Sequence, residues 1–116
     1  MPTTEAELPF GKLVALPCRI QRFAFSAERI FQIALADGGE YAGTAWSQHM
    51  FIDGKRVGPH QPAKRGDELR GLVLARIVDS DESGNVWVSV PDGSVQAIQK
   101  DIITSVPVEE DARVSV

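Results

Sequence analysis

The chain has 116 residues, of which 43% are hydrophobic and 24% charged, and its formal net charge is −4. This length suits one domain with its own core, and the composition is that of a folded protein rather than a disordered one. The acidic balance disfavours nucleic-acid binding, because phosphates are normally met by a basic face. The single cysteine, Cys18, cannot form an internal disulfide, and we interpret it as a small buried residue.

The N-terminal stretch "MPTTEAELPF" has two acidic residues, no basic segment and no apolar core, so it lacks the pattern of a signal peptide. No stretch approaches the roughly eighteen apolar residues that a membrane span needs. We therefore expect a cytoplasmic protein that does not contact the membrane. We also expect one domain over residues 9–106, between mobile tails at 1–8 and 107–116.

The first predicted elements are one strand and then a hairpin. "KLVALPCRIQRFAF" is β-like, although Pro17 restricts that strand to an edge, a strand start or a bulge, because proline has no N–H to donate. "FSAERI" is either one helical turn or, as we prefer, a loop. In "ERIFQIALADGG" the apolar residues Phe31, Ile33 and Leu35 alternate with Gln32 and Ala34, which predicts a half-buried strand. A tight turn at Gly38-Gly39 then leads into the partner strand "EYAGTAW".

The second part of the chain follows a connecting loop, "SQHMFIDGKRVGPHQPAKRGD". "ELRGLVLARIVD" is apolar on both faces, so it is either a central strand or one covered by a second subunit. A turn at "DSDESGN" and the strand "VWVSV" predict another hairpin. "IALADGGEYAG" and "VSVPDGSVQAI" share an Asp-Gly turn, which indicates either a duplicated half-barrel or two ordinary hairpins.

Three short motifs were considered as metal or adhesion sites. Asp79, Asp81 and Ser83 alternate as in a calcium loop, but the twelfth position, where a bidentate acid is required, is Val90, so we predict a solvated turn. The Arg-Gly-Asp sequence at residues 65–67 is interpreted as a polar turn. His49 and His60 have no second histidine or cysteine at metal-ligand spacing, and we expect no metal.

The order of two hairpins, a short turn and a last strand resembles a small Src-homology-3-like barrel. Within that class, "GSVQAIQKDIITSV" resembles the end of the plasmid-borne type II dihydrofolate reductases, with a match from Val86 to Val106. The resemblance implies a homotetramer whose central pore holds a nicotinamide cofactor together with folate. Ser94, Val95 and Gln96 match the family's motif, whereas Ala97 replaces its isoleucine and Ile98 its tyrosine.

The fold prediction is therefore all-β: a small Src-homology-3-like barrel with at most one-turn helices, for which two similar hairpin halves are one construction. Our leading functional hypothesis is a non-enzymatic module without a cofactor that forms a homodimer or homotetramer. Its interface would contain Trp46, Leu72, Leu74 and Trp87.

Two alternative hypotheses use other residues. A nicotinamide- or folate-type ligand would bind at Ser94, Val95 and Gln96. Single-stranded nucleic acid would bind at Arg19, Arg22 and Arg29, which lie among phenylalanines as in proteins that combine phosphate contacts with base stacking.

Overall fold

A computed structural model describes residues 11–23, 27–58, 61–62 and 66–107. The all-β prediction is confirmed, and in this part of the chain the only helices are one-turn 3-10 segments at Ser47–His49 and Lys100–Ile102. The predicted tails lie, apart from Pro107, outside the described residues. The strands are β1 Leu13–Arg22, β2 Glu28–Ala34, β3 Glu40–Trp46, β4 Met50–Ile52, β5 Lys55–Arg56, β6 Glu68–Ser80, β7 Asn85–Ser89 and β8 Val95–Gln99.

All eight strands belong to one antiparallel sheet in which β6 is the central strand. The main order is β3-β2-β1-β6-β4-β5, and β7 and β8 form a branch that continues from the far end of β6. Pairing among the described strands does not close this sheet into a barrel. An isolated bridge between Ala15 and Thr104 connects the C-terminal segment to β1.

β6 is the central strand of the sheet, and its two apolar faces are covered to different degrees. One face carries Val73, Ala75 and Ile77, which are buried in the core, while Leu72 and Leu74 on the other face are half-buried. We call this second side of the sheet the outer face. The thirteen residues of β6 pair with β1 along one edge and with β4 and β7 along the other.

Pro17 lies inside β1, opposite Leu72, at a gap in the second edge of the strand. Ala15, two residues earlier, exchanges backbone hydrogen bonds with Thr104 on that edge, at 3.0 and 2.9 Å. Because backbone groups of alternate residues point to the same edge, Pro17 also faces this side, between Thr104 and the start of the β2 pairing at Arg19. The missing N–H of the proline therefore interrupts no registered pair.

The first predicted hairpin is confirmed as β2 and β3. Phe31 and Ile33 are buried, Gln32 is half-buried and Ala34 is exposed, as the alternating sequence requires. Cys18 is also buried, as predicted. The core formed by the inner faces of the strands contains Val14, Leu16, Cys18, Ile20, Phe31, Ile33, Ala45, Met50, Val57, Val73, Ala75, Ile77, Val86, Val88, Val90 and Ile98.

The elements occur twice in the same order. Residues 13–52, the first half, and residues 68–104, the second half, each contain a long strand, a hairpin, a 3-10 turn and a final extended segment. The final segment of each half pairs with the long strand of the other: β4 with β6, and Thr104 with β1. In each hairpin we call the Asp-Gly end the tip and the end beside the 3-10 turn the base.

Candidate functional site

The two Asp-Gly turns at the hairpin tips have the same geometry. Leu35 N–H donates to Gly39 O at 2.8 Å, and Val90 N–H donates to Ser94 O at 3.0 Å. A glycine with φ of 93° stands at the fourth position of both turns, Gly38 and Gly93, where other residues would be strained. The aspartate of each turn accepts the backbone N–H two residues later, at 2.8 Å for Asp37 and 2.9 Å for Asp92.

Each tip packs against the second strand of the other hairpin, but by different means. From the first tip, Ala36 N–H donates to the carbonyl oxygen of Ala97 in β8 at 2.9 Å. The corresponding residue of the second tip, Pro91, has no N–H. Instead the hydroxyl of Tyr41 in β3 donates to the Asp92 carboxylate. Gly43 allows this approach, since a Cβ there would collide with that carboxylate and lie 2.9 Å from the Phe31 ring.

Tyr41, Asp92, Ser94 and Gln96 form a connected polar group, the Tyr41–Asp92 cluster. The Ser94 hydroxyl donates to Asp92 at 2.9 Å, and the Gln96 side-chain amide donates to Ser94 Oγ at 3.2 Å. Partial burial would raise the pKa of Asp92, but the hydrogen bonds from Tyr41 and Ser94 outweigh it and hold the pKa below 3.8. The hydrogen bond to Asp92 raises the pKa of Tyr41 above 10.0.

The Tyr41–Asp92 cluster connects the two hairpins, and its geometry favours this structural role over a catalytic one. The base that the Ser94 hydroxyl contacts is the Asp92 carboxylate of its own turn, and the lowered pKa of Asp92 makes that carboxylate a weak acceptor for the serine proton. Ser94 and Gln96, two of the three predicted ligand residues, are in contact through the hydrogen bond from the Gln96 amide to Ser94 Oγ. Val95 is 51% exposed on the outer face, opposite to Gln96, which lies on the same side of β8 as buried Ile98.

Three of the four predicted interface residues lie on the outer face of β6 and β7, and all three are half-buried. Leu72 and Leu74 are neighbours on β6, whereas Trp87 on β7 pairs with Asp79, on the other side of Arg76. Trp46, although 52% exposed, lies on β3, three strands from β6. The single interface predicted from the sequence is therefore divided in the structure, with Trp46 separated from the other three residues.

A row of cross-strand neighbours extends the apolar surface around Leu74. Leu13, Arg76, Ser89 and Val95 stand directly opposite one another across β1, β6, β7 and β8. Leu13 is 37% exposed at one end of the row and Val95 51% exposed at the other. We call the surface formed by Leu13, Leu72, Leu74, Trp87 and Val95 the outer apolar patch.

The three arginines predicted to bind nucleic acid do not form a common exposed surface. Arg29 is 1% exposed, and its guanidinium donates to the carbonyl oxygens of Gln61, Glu28 and Gly58 at 2.6, 2.8 and 3.1 Å. Burial, and next the repulsion of Arg22, lowers the pKa of Arg29.

The other two arginines also have partners within the chain. Arg22, opposite Arg29, donates to Pro62 O at 2.7 Å. Arg19 forms an exposed ion pair with Glu40. The alternation of β2 did place Arg29 in phase with Phe31 and Ile33, and this was the signal of its burial.

The other motifs have structural roles as far as they lie within the residues that the structure describes. The Asp81 carboxylate accepts the N–H groups of Ser83 and Asn85, each at 3.0 Å, as expected for a hairpin turn. Burial raises the pKa of the Cys18 thiol to about 12, so it is a poor nucleophile. No group of three or more His, Cys, Asp or Glu side chains in the described ranges could hold a metal ion. His60 and Arg65 lie outside those ranges.

Comparison with protein-family models, curated proteins and solved structures found no match to this chain. Within the part of the chain that the structure describes, no helix is long and apolar enough to cross a membrane.

Proposed function

We propose that the protein is a non-enzymatic β-sheet module that self-associates through the outer apolar patch. The observation that carries this proposal is the outer face of β6, where Leu72 and Leu74 remain partly exposed and Leu13 lies diagonally across from Leu74. A neighbouring copy would remove this apolar area from water, and burial of apolar area is the main driving force for association.

The composition of the patch also supports self-association. Its charged member in the central row, Arg76, donates to the carbonyl oxygen of Gly11 at 2.9 Å, so its guanidinium is held against its own chain. A partner would thus meet leucine, valine and tryptophan side chains, with Ser89 and the exposed Asp79, which pairs with Trp87, as polar neighbours. Aromatic and aliphatic residues in this arrangement are typical of an interface core.

Sedimentation equilibrium at micromolar concentration tests the proposal. We expect the wild-type chain to be a dimer or tetramer, and Leu74→Asp to shift it to monomer, because an aspartate would be desolvated in the interface. Leu13→Ser is a milder variant at an exposed position and should weaken association in the same direction.

Ile30→Asp is the matched control, since Ile30 is a half-buried residue on the outer face of β2, away from the patch. It should leave the molecular mass unchanged, and urea unfolding monitors the stability of all three variants. A wild-type chain that is monomeric at these concentrations contradicts the proposal. So does an Ile30→Asp variant that dissociates as readily as Leu74→Asp.

A further inference from the structure

A cavity of about 360 Å³ opens at the base of the second hairpin. Its walls combine apolar side chains from the core with two lysines at the rim: Val14, Ile77, Val86, Ile103, Lys12 and Lys100. This combination of an apolar interior and few polar groups is typical of small-molecule sites of this size.

The base of the first hairpin has larger side chains at the positions that correspond to the cavity. The bases of the two hairpins are aligned by equivalent hydrogen bonds: Ser47 N–H to Ala27 O at 2.9 Å, and Lys100 N–H to Gly84 O at 3.0 Å. In this alignment the cross-strand pair Arg22 and Arg29 corresponds to the pair Ser80 and Val86. The second half therefore has two small side chains where the first has two arginines.

The loop that covers the first base indicates the chemistry that fits such a site. Buried Val57 and Pro62 lie on this loop, and backbone carbonyl oxygens of Gly58, Gln61 and Pro62 accept the arginine hydrogen bonds. The loop thus covers the base of the first hairpin with apolar side chains and with oxygen atoms that accept hydrogen bonds.

The second base carries two cations at its rim, Lys12 and Lys100. In the described part of the chain, neither Lys12 nor Lys100 has a side-chain hydrogen-bond or ion-pair partner. Their backbones are held in place, because Lys12 O accepts Ile77 N–H at 3.1 Å and Lys100 N–H donates to Gly84 O.

From these observations we propose that the cavity binds a small amphipathic monoanion, with its apolar body against Val86 and Ile77 and its carboxylate between Lys12 and Lys100. Asp81, which also lines the cavity, favours a single negative charge over a dianion. Its carboxylate remains ionised, because hydrogen bonds led by the one from Asn85 N–H lower its pKa. With two lysines and one aspartate, the rim carries one net positive charge.

NMR titration of the ¹⁵N-labelled full chain tests the proposal with three matched probes: octanoate, 1-octanol and octyl phosphate. We expect octanoate to shift the amide signals of Lys12, Gly84 and Lys100, with a Kd below about 1 mM for a ligand of about ten heavy atoms. Octanol, which has the same tail without the charge, and octyl phosphate, a dianion near pH 8, should both bind more weakly.

Three variants separate charge from shape. Lys100→Gln should weaken octanoate binding about fivefold, the loss expected for one partly exposed charge contact, and leave octanol binding unchanged. Lys55→Gln, at an exposed lysine of β5, is the matched control and should have no effect. Ser80→Arg restores the bulk of the first half and should abolish octanoate binding, even though it adds positive charge.

Several outcomes would overturn the proposal. These are absence of octanoate shifts at 10 mM, shifts confined to other residues, equal affinity for octanol, and tighter binding to the Ser80→Arg variant. Ser80 and Lys100 are both exposed, so these variants should keep the dispersed wild-type spectrum that makes the comparison valid.

Discussion

The first half of the chain, residues 13–52, and the second half, residues 68–104, contain the same elements in the same order but fill their bases differently. In the first, Arg29 and Arg22 donate to a covering loop. In the second, Val86 and Ser80 leave a cavity. Hairpin register is therefore set by backbone and turn residues, whereas the space inside each half is set by side-chain size at a few inward positions.

The tips differ in a complementary way. The first tip is attached to the neighbouring strand by a backbone hydrogen bond from Ala36, and the second by the side chains of Tyr41 and Asp92. Proline at position 91 removes the backbone donor, and a phenol supplies a donor in its place. The same packing of two turns is thus achieved with two kinds of hydrogen bond.

The largest expected effect comes from making the first base resemble the second. Arg29→Val replaces a 1% exposed guanidinium with the residue found at the corresponding position, Val86. We expect the free energy of unfolding to fall by about 3 kcal/mol, because buried carbonyl oxygens lose charge-assisted donors and a void remains. Urea denaturation, with an unchanged slope, measures the loss.

Arg19→Val is the control for this prediction. Arg19 is on the adjacent strand, and its ion pair with Glu40 is exposed on both sides, with side-chain exposures of 40% and 52%. Its loss should cost less than about 1 kcal/mol. Equal losses for the two variants would mean that the buried hydrogen bonds of Arg29 do not stabilise the fold.

A smaller effect is expected at the second tip. Tyr41→Phe removes the hydroxyl that donates to Asp92, and we expect a loss of about 1 kcal/mol near neutral pH, since both groups are partly exposed. The pKa of Asp92 lies below 3.8 in the folded protein, so this stabilisation is complete above that value and is lost as the pH falls through the folded pKa.

At alkaline pH the stabilisation by this hydrogen bond changes with pH in the opposite direction. The pKa of Tyr41 lies above 10.0, so the stabilisation is present below pH 10 and is lost as the pH rises through the raised value. The difference in unfolding free energy between wild type and Tyr41→Phe should therefore be constant from roughly pH 5 to 9 and shrink at both extremes. In an Asp92→Asn background, the decrease of this difference at acid pH should disappear. If the difference between wild type and Tyr41→Phe does not depend on pH, the hydrogen bond between Tyr41 and Asp92 does not contribute to stability.

The sequence predicted the hairpins because their signals are local. Alternation in "IFQIAL" and the Asp-Gly turns need only neighbouring residues, and both hairpins are present. The two-faced pattern of β6 predicted a strand that is either central or covered by a second subunit, and β6 lies inside the sheet. The pairing of β4 with β6 and of Thr104 with Ala15 depends on contacts between distant segments, which periodicity does not encode.

The candidate sites were less predictable for the same reason. Ser94 and Gln96 were recognised, but Tyr41 is far away in sequence and no local motif connects it to Asp92. The alternative nucleic-acid hypothesis places Arg29 on an exposed surface because charge usually indicates exposure, although its position in phase with Phe31 and Ile33 indicates burial. The cavity exists because Ser80 and Val86 are smaller than Arg22 and Arg29, the corresponding residues of the first half. This correspondence between distant residues is not apparent from local sequence patterns.

The smallest expected effect comes from making the first tip resemble the second. Ala36→Pro removes the N–H that donates to Ala97 O at 2.9 Å, which should cost about 1 kcal/mol. Proline also restricts the unfolded chain, which should restore about 0.4–1 kcal/mol, since the equivalent turn accepts Pro91. We therefore expect a net change within about 0.5 kcal/mol by urea denaturation, together with faster hydrogen exchange at the adjacent tip amides. A loss above about 2 kcal/mol would mean that the two turns differ in backbone conformation, and the equivalence of the tips would then fail.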